Sequence, residues 1–270
     1  MKRLAELLLK PEGFSEIVIG NAALVRAMVE SGVEVVTSYP GSPTPEIAEA
    51  IGSLPLDSRP FYFEFSTNEK VALEVAFGAA LDGRPSLVFF KSVGLNVAAD
   101  SFVQLSLMDI AGGMVVLLGD DPGANSSQNE QDNRHYALLA GLPLLEPASA
   151  QEAYGMLKEA VRIARERRSA VILRLTTHVC HFKQRVDFDP LPPGCLDRAG
   201  PKAGALKNGG GRFDPASSTF IPIAAAVFPL KRKALDRLAS LAEEAEASPL
   251  NRLIPAGPGG PSEFGVITAG

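Results

Sequence analysis

The chain has 270 residues, enough for one large domain or two ordinary ones. Hydrophobic residues make up 46% and charged residues 21%, which excludes a disordered polyelectrolyte and allows a sizeable core. The net charge of −5 argues against a nucleic-acid partner, and two cysteines, Cys180 and Cys195, are too few for an iron–sulfur cluster or a disulfide scaffold, so a reduced, cytoplasmic setting is expected.

The chain opens on a short leading helix around Leu7–Leu9, an apolar run too brief for a secretory signal. Met114–Leu118 is far below the length that spans a bilayer, so no membrane partner is expected. Strand-like runs follow at Val33–Ser38, Phe61–Phe65, Ser86–Phe90, Met114–Leu118 and Ala170–Leu175. Continuous apolar runs of this length suit strands covered on both faces. Helical segments alternate with them: Asn21–Glu30, Pro45–Ile51, Asn68–Leu81, Leu95–Leu107 and Ala150–Arg167. The alternation predicts an α/β domain, a mostly parallel sheet with helices on both faces. In the last helix Ser149 and Glu152 make a capping box, and Arg162, Arg165, Arg167 and Arg168 complement the dipole at the other end.

After Arg185 the composition changes. Prolines and the glycines at 209–211 mark a long irregular connection, and a helix is expected over Lys231–Glu246. The breaker at Gly257–Pro261 precedes Phe264–Thr268, which reads as the first strand of another α/β unit. The expected division is therefore a first domain over residues 1–186, a Pro/Gly-rich connection with one helix over 187–260, and the truncated start of a second domain over 261–270.

Four constellations carry candidate chemistry. Tyr39–Pro45 (YPGSPTP) sits where a strand should end and a helix begin, the edge at which open α/β sheets bind ligands. Ser66–Lys70 puts Glu69 in the first turn of an Ala-rich helix, either as a functional carboxylate or as a capping-box residue. The polar loop Gly119–Arg134 follows a buried strand and is placed to line a pocket. His178-Val179-Cys180-His181 resembles a metal cluster only in composition, since its spacing fits no usual zinc pattern, and it reads as a strand exit.

The strings NEKVALEVA, KSVGLNVAAD and DDPGANSSQNEQDNR, with GNAALVRAMVESGVEVVTSYPGSPTPEI before them, resemble the thiamine-diphosphate-dependent 2-oxoacid:ferredoxin oxidoreductases. Within that family the match is to the N-terminal region of the alpha subunit of the indolepyruvate type. It is close from Ile17 to Ala160 and weaker through Lys231–Glu246 and Ser248–Arg252.

The resemblance implies a domain that binds the pyrimidine half of thiamine diphosphate. Glu69 takes the place of the glutamate that hydrogen-bonds the pyrimidine ring and so promotes the thiamine ylid. Pro40, Gly41, Gly94 and Asn96 fall at cofactor-binding positions, and Ser42, Ser127, Gln128 and Asn129 on the substrate side. No metal ligand is expected on this chain, because Asn133 follows Gly119-Asp120 too closely for the family's diphosphate-and-magnesium motif. Magnesium and iron–sulfur clusters are expected on missing or partner segments, with ferredoxin and coenzyme A meeting the assembled complex. The activity implied is oxidative decarboxylation of a small 2-oxo acid, indolepyruvate or another aryl pyruvate, to an acyl-coenzyme A. The alternatives are a non-oxidative thiamine-diphosphate decarboxylase subunit and an inactive truncated remnant. Ser92, Asn125 and His178 stand where relatives more often carry other residues, which bears on the choice of oxo acid.

Overall fold

The computed structural model describes residues 2–196, 213–214, 220–252, 254 and 265–268. In chain order the elements are α1 (Lys2–Leu8), β1 (Phe14–Ile19), α2 (Gly20–Glu30), β2 (Val35–Ser38), α3 (Pro45–Ser53), β3 (Tyr62–Phe65), α4 (Glu69–Leu81), β4 (Ser86–Lys91) and α5 (Gly94–Phe102). A 3₁₀ turn at Leu105–Leu107 leads to β5 (Met114–Asp120), α6 (Arg134–Ala140), β6 (Leu144–Leu145), α7 (Ala150–Arg167), β7 (Ala170–Thr176), α8 (Thr177–His181), β8 (Lys183–Phe188) and α9 (Ala224–Glu246).

The body is a six-stranded sheet in the order β3-β2-β4-β5-β7-β6, parallel at every pairing. Its central strands β4, β5 and β7 are largely apolar and buried because each faces two helical layers, whereas the edge strand β3 is only partly buried. Leu87 and Phe89 of β4, with Val115 and Leu117 of β5, pack against Leu24 and Met28 of α2, Ile47 of α3 and Leu157 of α7. The alternate residues Val88, Phe90, Val116 and Leu118 pack against Leu73 of α4, Phe102 of α5 and Ala137 of α6. The expected architecture is therefore present.

The differences from expectation are local. Val33 and Glu34 precede β2 rather than belonging to it, and the helix expected over Leu95–Leu107 ends at Phe102 before the 3₁₀ turn. The helix expected from Lys231 begins about two turns earlier, at Ala224, and carries Pro229 inside it. A second, two-stranded antiparallel sheet pairs β1 with β8, from Phe14↔Phe188 to Ile19↔Lys183. Ordered pairing thus runs two residues past the expected boundary at 186. Of the strand expected at Phe264–Thr268, Phe264 lies outside the described residues and 265–268 form no strand. Most of the Pro/Gly-rich connection likewise lies outside the described residues. No helix among those described is long and apolar enough to cross a membrane.

The capping of α7 follows the sequence. Ser149 Oγ accepts from Glu152 N at 3.1 Å, while Glu152 Oε2 accepts from Ala148 N at 2.9 Å. The arginines at its far end are paired: Arg162 with Glu159 and Glu166, Arg167 with Glu244, and Arg168 with Asp109. The fully buried Arg26 of α2 fastens the termini of the domain. It pairs with Glu30 at 2.6 Å and donates to the carbonyls of Leu8, Lys10 and Asp189. A buried guanidinium is tolerated when its donors are satisfied in this way.

Candidate active site

The order of the sheet locates the site. From β2 the chain turns by way of α3 to β3 on one side, and from β4 by way of α5 to β5 on the other. The loops leaving β2 and β4 diverge, so a crevice opens between them at the carboxyl edge, the topological switch point of an open α/β sheet. Residues 39–44 and 92–93 line that crevice. The segment 66–68 after β3 and the polar loop 121–133 after β5 leave the same edge.

The first loop closes tightly on β4. A β-carbon at Gly41 would stand 2.6 Å from Lys91 Cβ, so only glycine allows this approach. Ser38 Oγ donates to Phe89 O at 2.8 Å, and Thr44 Oγ1 to Gly41 O at 3.0 Å. Beneath the loop lies a cavity of about 300 Å³, lined by Pro40, Gly41, Thr44, Ala48, Phe65 and Phe89. Phe63 stacks parallel on Phe89 with centroids 6.1 Å apart, so its wall is aromatic. Ser42 is half-buried beside it and precedes a cis peptide bond to Pro43.

Glu69 is the first residue of α4, and the structure separates it from the capping role. Asn68 caps the helix, its Oδ1 accepting from Val71 N at 2.9 Å. Thr37 Oγ1 donates to Ala72 O at 2.6 Å and ties the first turn of α4 to β2. The half-buried Glu69 carboxylate makes no hydrogen bond or ion pair among the described residues. It lies against Gly94, where a β-carbon would stand 2.6 Å from Glu69 Cγ and 2.7 Å from Oε1. The two residues are brought together by the packing of α4 on α5. Around them Lys70 pairs with Asp100 at 2.7 Å, and Ser101 Oγ donates to Glu74 at 2.6 Å.

The polar loop is built on two carboxylates. Asp120 is fully buried, and both of its oxygens are engaged, by Asn133 Nδ2, by Asn133 N at 3.1 Å and by Arg174 Nε at 2.6 Å. Arg174 also pairs with Glu146. Asp121 accepts from Ser126 N at 2.6 Å, Thr177 Oγ1 at 2.8 Å and Asn125 Nδ2 at 3.3 Å. Burial pushes the Asp121 carboxyl up, but these hydrogen bonds outweigh it and hold it below the ordinary carboxylate value. Asp132 is brought down to about 2, chiefly by its hydrogen bond from Arg134. Gln131 then ties the loop to the site, accepting from Asn96 Nδ2 at 2.8 Å and donating to Asn133 Oδ1 at 2.8 Å and Ser92 O at 3.2 Å. Tyr136 Oη donates to Asn96 Oδ1 at 2.8 Å, so both ends of that carboxamide are held.

Glu69 and Gly94 are thus brought into contact, Pro40 and Gly41 share the aromatic cavity, and Asn96 joins α5 to the polar loop. Gln128 and Asn129 are exposed on that loop and carry no side-chain hydrogen bond among the described residues. Two residues at this edge went unassigned in the sequence. Gln131 is the hub of the loop, one amide among many in DDPGANSSQNEQDNR. Lys91 closes β4, and its position at a strand's carboxyl end was the available signal. His178–His181 is the helix α8. There His178 stacks on Phe182, and the buried Cys180 thiol is pushed well up by its surroundings and by Glu46. No group of three or more metal-ligating side chains occurs among the described residues.

A wider cleft, about 620 Å³, lies between α7 and α9. Its charged rim is internally paired, Arg162 with Glu159 and Arg167 with Glu244, and it carries no unpartnered acid. The edge of the sheet, with its unpartnered carboxylate and aromatic cavity, is the better candidate.

The chain is 42% identical over 267 residues to the indolepyruvate oxidoreductase subunit IorA of Methanothermobacter thermautotrophicus, covering 99% of this chain and 41% of the relative. It is 39% identical over 235 residues to IorA of Pyrococcus abyssi, covering 87% of this chain and 35% of the relative. The chain thus spans about two fifths of the length of these curated relatives. A 2-oxoglutarate:ferredoxin oxidoreductase from Magnetococcus marinus, solved with 2-oxoglutarate, coenzyme A and succinyl-CoA bound, shares the fold. Its TM-score is 0.62 at 15% identity, over 85% of this chain and 45% of that one. The family described as pyruvate flavodoxin/ferredoxin oxidoreductase, thiamine diP-bdg, matches residues 26–224, and the chain belongs to that thiamine-diphosphate-binding family.

Proposed function

We propose that this chain is the pyrimidine-binding part of a 2-oxoacid:ferredoxin oxidoreductase of the indolepyruvate type. The reaction is oxidative decarboxylation of an aryl 2-oxo acid to an acyl-coenzyme A, with ferredoxin as electron acceptor. The observation that carries the reading is the Glu69 carboxylate, unpartnered at the carboxyl edge and backed by Gly94, in a chain of a thiamine-diphosphate-binding family.

The residues present fit the pyrimidine half of the cofactor. Glu69 offers a free carboxylate, Gly94 clears the space beside it, and Pro40 and Gly41 border an aromatic cavity. When bound, thiamine diphosphate supplies the electron sink for breaking the bond between the carbonyl carbon and the carboxylate. Glu69 holds or takes up a proton at its carboxylate against the ring nitrogen, the work of a positioned acid–base group. Asn96 and Gln131 hold the loop edge, and Ser42, Ser127, Gln128 and Asn129 face the substrate side. Asp120 is fully engaged within the protein and is no candidate for magnesium. Magnesium and the iron–sulfur clusters belong to a diphosphate-binding and iron–sulfur domain or subunit.

The test is Glu69→Gln in the full-length protein assembled with its partner chains. Expected are a fall of about 10²–10⁴-fold in substrate-dependent viologen reduction and slowed deuterium exchange at the thiazolium carbon of bound cofactor. Undiminished reduction overturns the assignment, and release of free aldehyde without viologen reduction selects the non-oxidative alternative.

A further inference from the structure

We propose that Lys91 binds the carboxylate of the 2-oxo acid. This rests on the function proposed above and extends it to a residue outside the pyrimidine-binding set.

Lys91 is the last residue of β4, at the switch point of the sheet. Its aliphatic stem lies along Gly41, where a side chain would collide with Lys91 Cβ and Cδ. The ammonium beyond the stem donates to Ser126 O at 2.9 Å. That carbonyl is neutral, and an ammonium has three protons to donate. The other cations at this edge are neutralised: Lys70 by Asp100, Arg134 by Asp132, and Arg174 by Asp120 and Glu146. Lys91 enters no ion pair among the described residues.

Two of the acids at this edge are held by other groups, and Glu69, which is not, lies against Gly94 and makes no ion pair with Lys91. Asp121 is satisfied by Ser126 N, Thr177 and Asn125, and Glu64 by Tyr62 and Ser66. The stem of Lys91 is packed on Gly41, while its ammonium has no anionic partner among the described residues. Placed in a ligand crevice, it selects an anion. An ammonium is a point charge that takes any small anion, and the anion that the proposed reaction brings to this edge is the carboxylate of the 2-oxo acid. The stem against Gly41 and the bond to Ser126 hold the ammonium between the first loop and the polar loop, the two elements that carry Ser42 and Ser127.

The carboxylate leaves as neutral carbon dioxide, so this contact weakens as the bond breaks. Lys91 therefore contributes to substrate binding and not to the chemical step. A residue that only tied the loop through Ser126 would instead disturb the site as a whole.

The experiment compares Lys91→Met with wild type in the full-length assembled enzyme. KM for indolepyruvate is expected to rise about 10- to 100-fold, the scale of one lost charge-assisted hydrogen bond, with kcat not reduced. Inhibition by indole-3-propanoate and by its uncharged amide gives the second readout. Wild type should prefer the carboxylate, Lys91→Met should lose that preference with the amide unaffected, and Lys91→Arg should keep it. Equal weakening of acid and amide, a fall in kcat, or no preference in wild type overturns the proposal. The Glu69→Gln result reports on the function separately. Activity that depends on Glu69 beside an unchanged carboxylate preference in Lys91→Met would overturn the Lys91 assignment alone.

Discussion

Two polar clusters stand side by side at the carboxyl edge and are built on opposite rules. Around Asp120, Asn133, Arg174 and Glu146 every buried charge has a partner, and both oxygens of Asp120 are taken. Beside it, Glu69 and Lys91 have no partner of opposite charge among the described residues, although each is half-buried. The first cluster holds the polar loop in place. The second keeps its charges available, which is how perturbable acid–base and binding groups come to lie in clefts. Charge alone does not distinguish them, since both contain a carboxylate and a cation. The state of the partners does.

The strongest challenge to this contrast is Arg174→Met. It would leave Asp120 and Glu146 buried without their cation, and a loss of about 3–5 kcal/mol in unfolding free energy is expected. Glu69→Gln in the same urea titration should cost within about 0.5 kcal/mol. Equal costs would mean that the two clusters are alike and that Glu69 is a structural residue.

Gly94→Ala separates position from stability. The added methyl would meet the end of the Glu69 side chain, a flexible group that can move aside. The expected result is a stability change below about 1 kcal/mol and a fall in turnover of about 10- to 100-fold as the carboxylate is displaced. A variant with full activity would show that Glu69 need not sit where it does.

The smallest effect lies in the pH dependence of the loop. The Asp132 carboxyl is lowered to about 2 from an ordinary 3.8, chiefly through Arg134. A depressed carboxyl stabilises the folded state above its unfolded value and loses that contribution as pH falls through the folded one. Asp132→Asn should therefore flatten the decline in stability between about pH 4 and pH 2, with little change at pH 7 because the pair is partly exposed. An unchanged acid limb would show that the pair contributes nothing.

Much of this was legible in the chain. The parallel sheet could be read because strands covered on both faces must be apolar throughout, as Met114–Leu118 is. The start of α7 could be read because Ser149 and Glu152 are three residues apart. The pair β1 and β8 was not legible, because its strands lie at opposite ends of the domain and KQRVDF is too polar to announce a strand. α6 is only seven residues long and has no side-chain cap, so its sequence carries little helical signal.

The site divides in the same way. The sequence by itself determined which residues stand at the ends of strands and the starts of helices, because periodicity and capping are local. It placed Glu69, Gly41 and the polar loop at such positions. Only the tertiary structure decided that Asn68 caps α4 in place of Glu69, that Gly94 backs the Glu69 carboxylate, and that Lys91 has no acidic partner. Whether a charge is matched depends on groups far away in the chain, and packing alone brings those groups within reach.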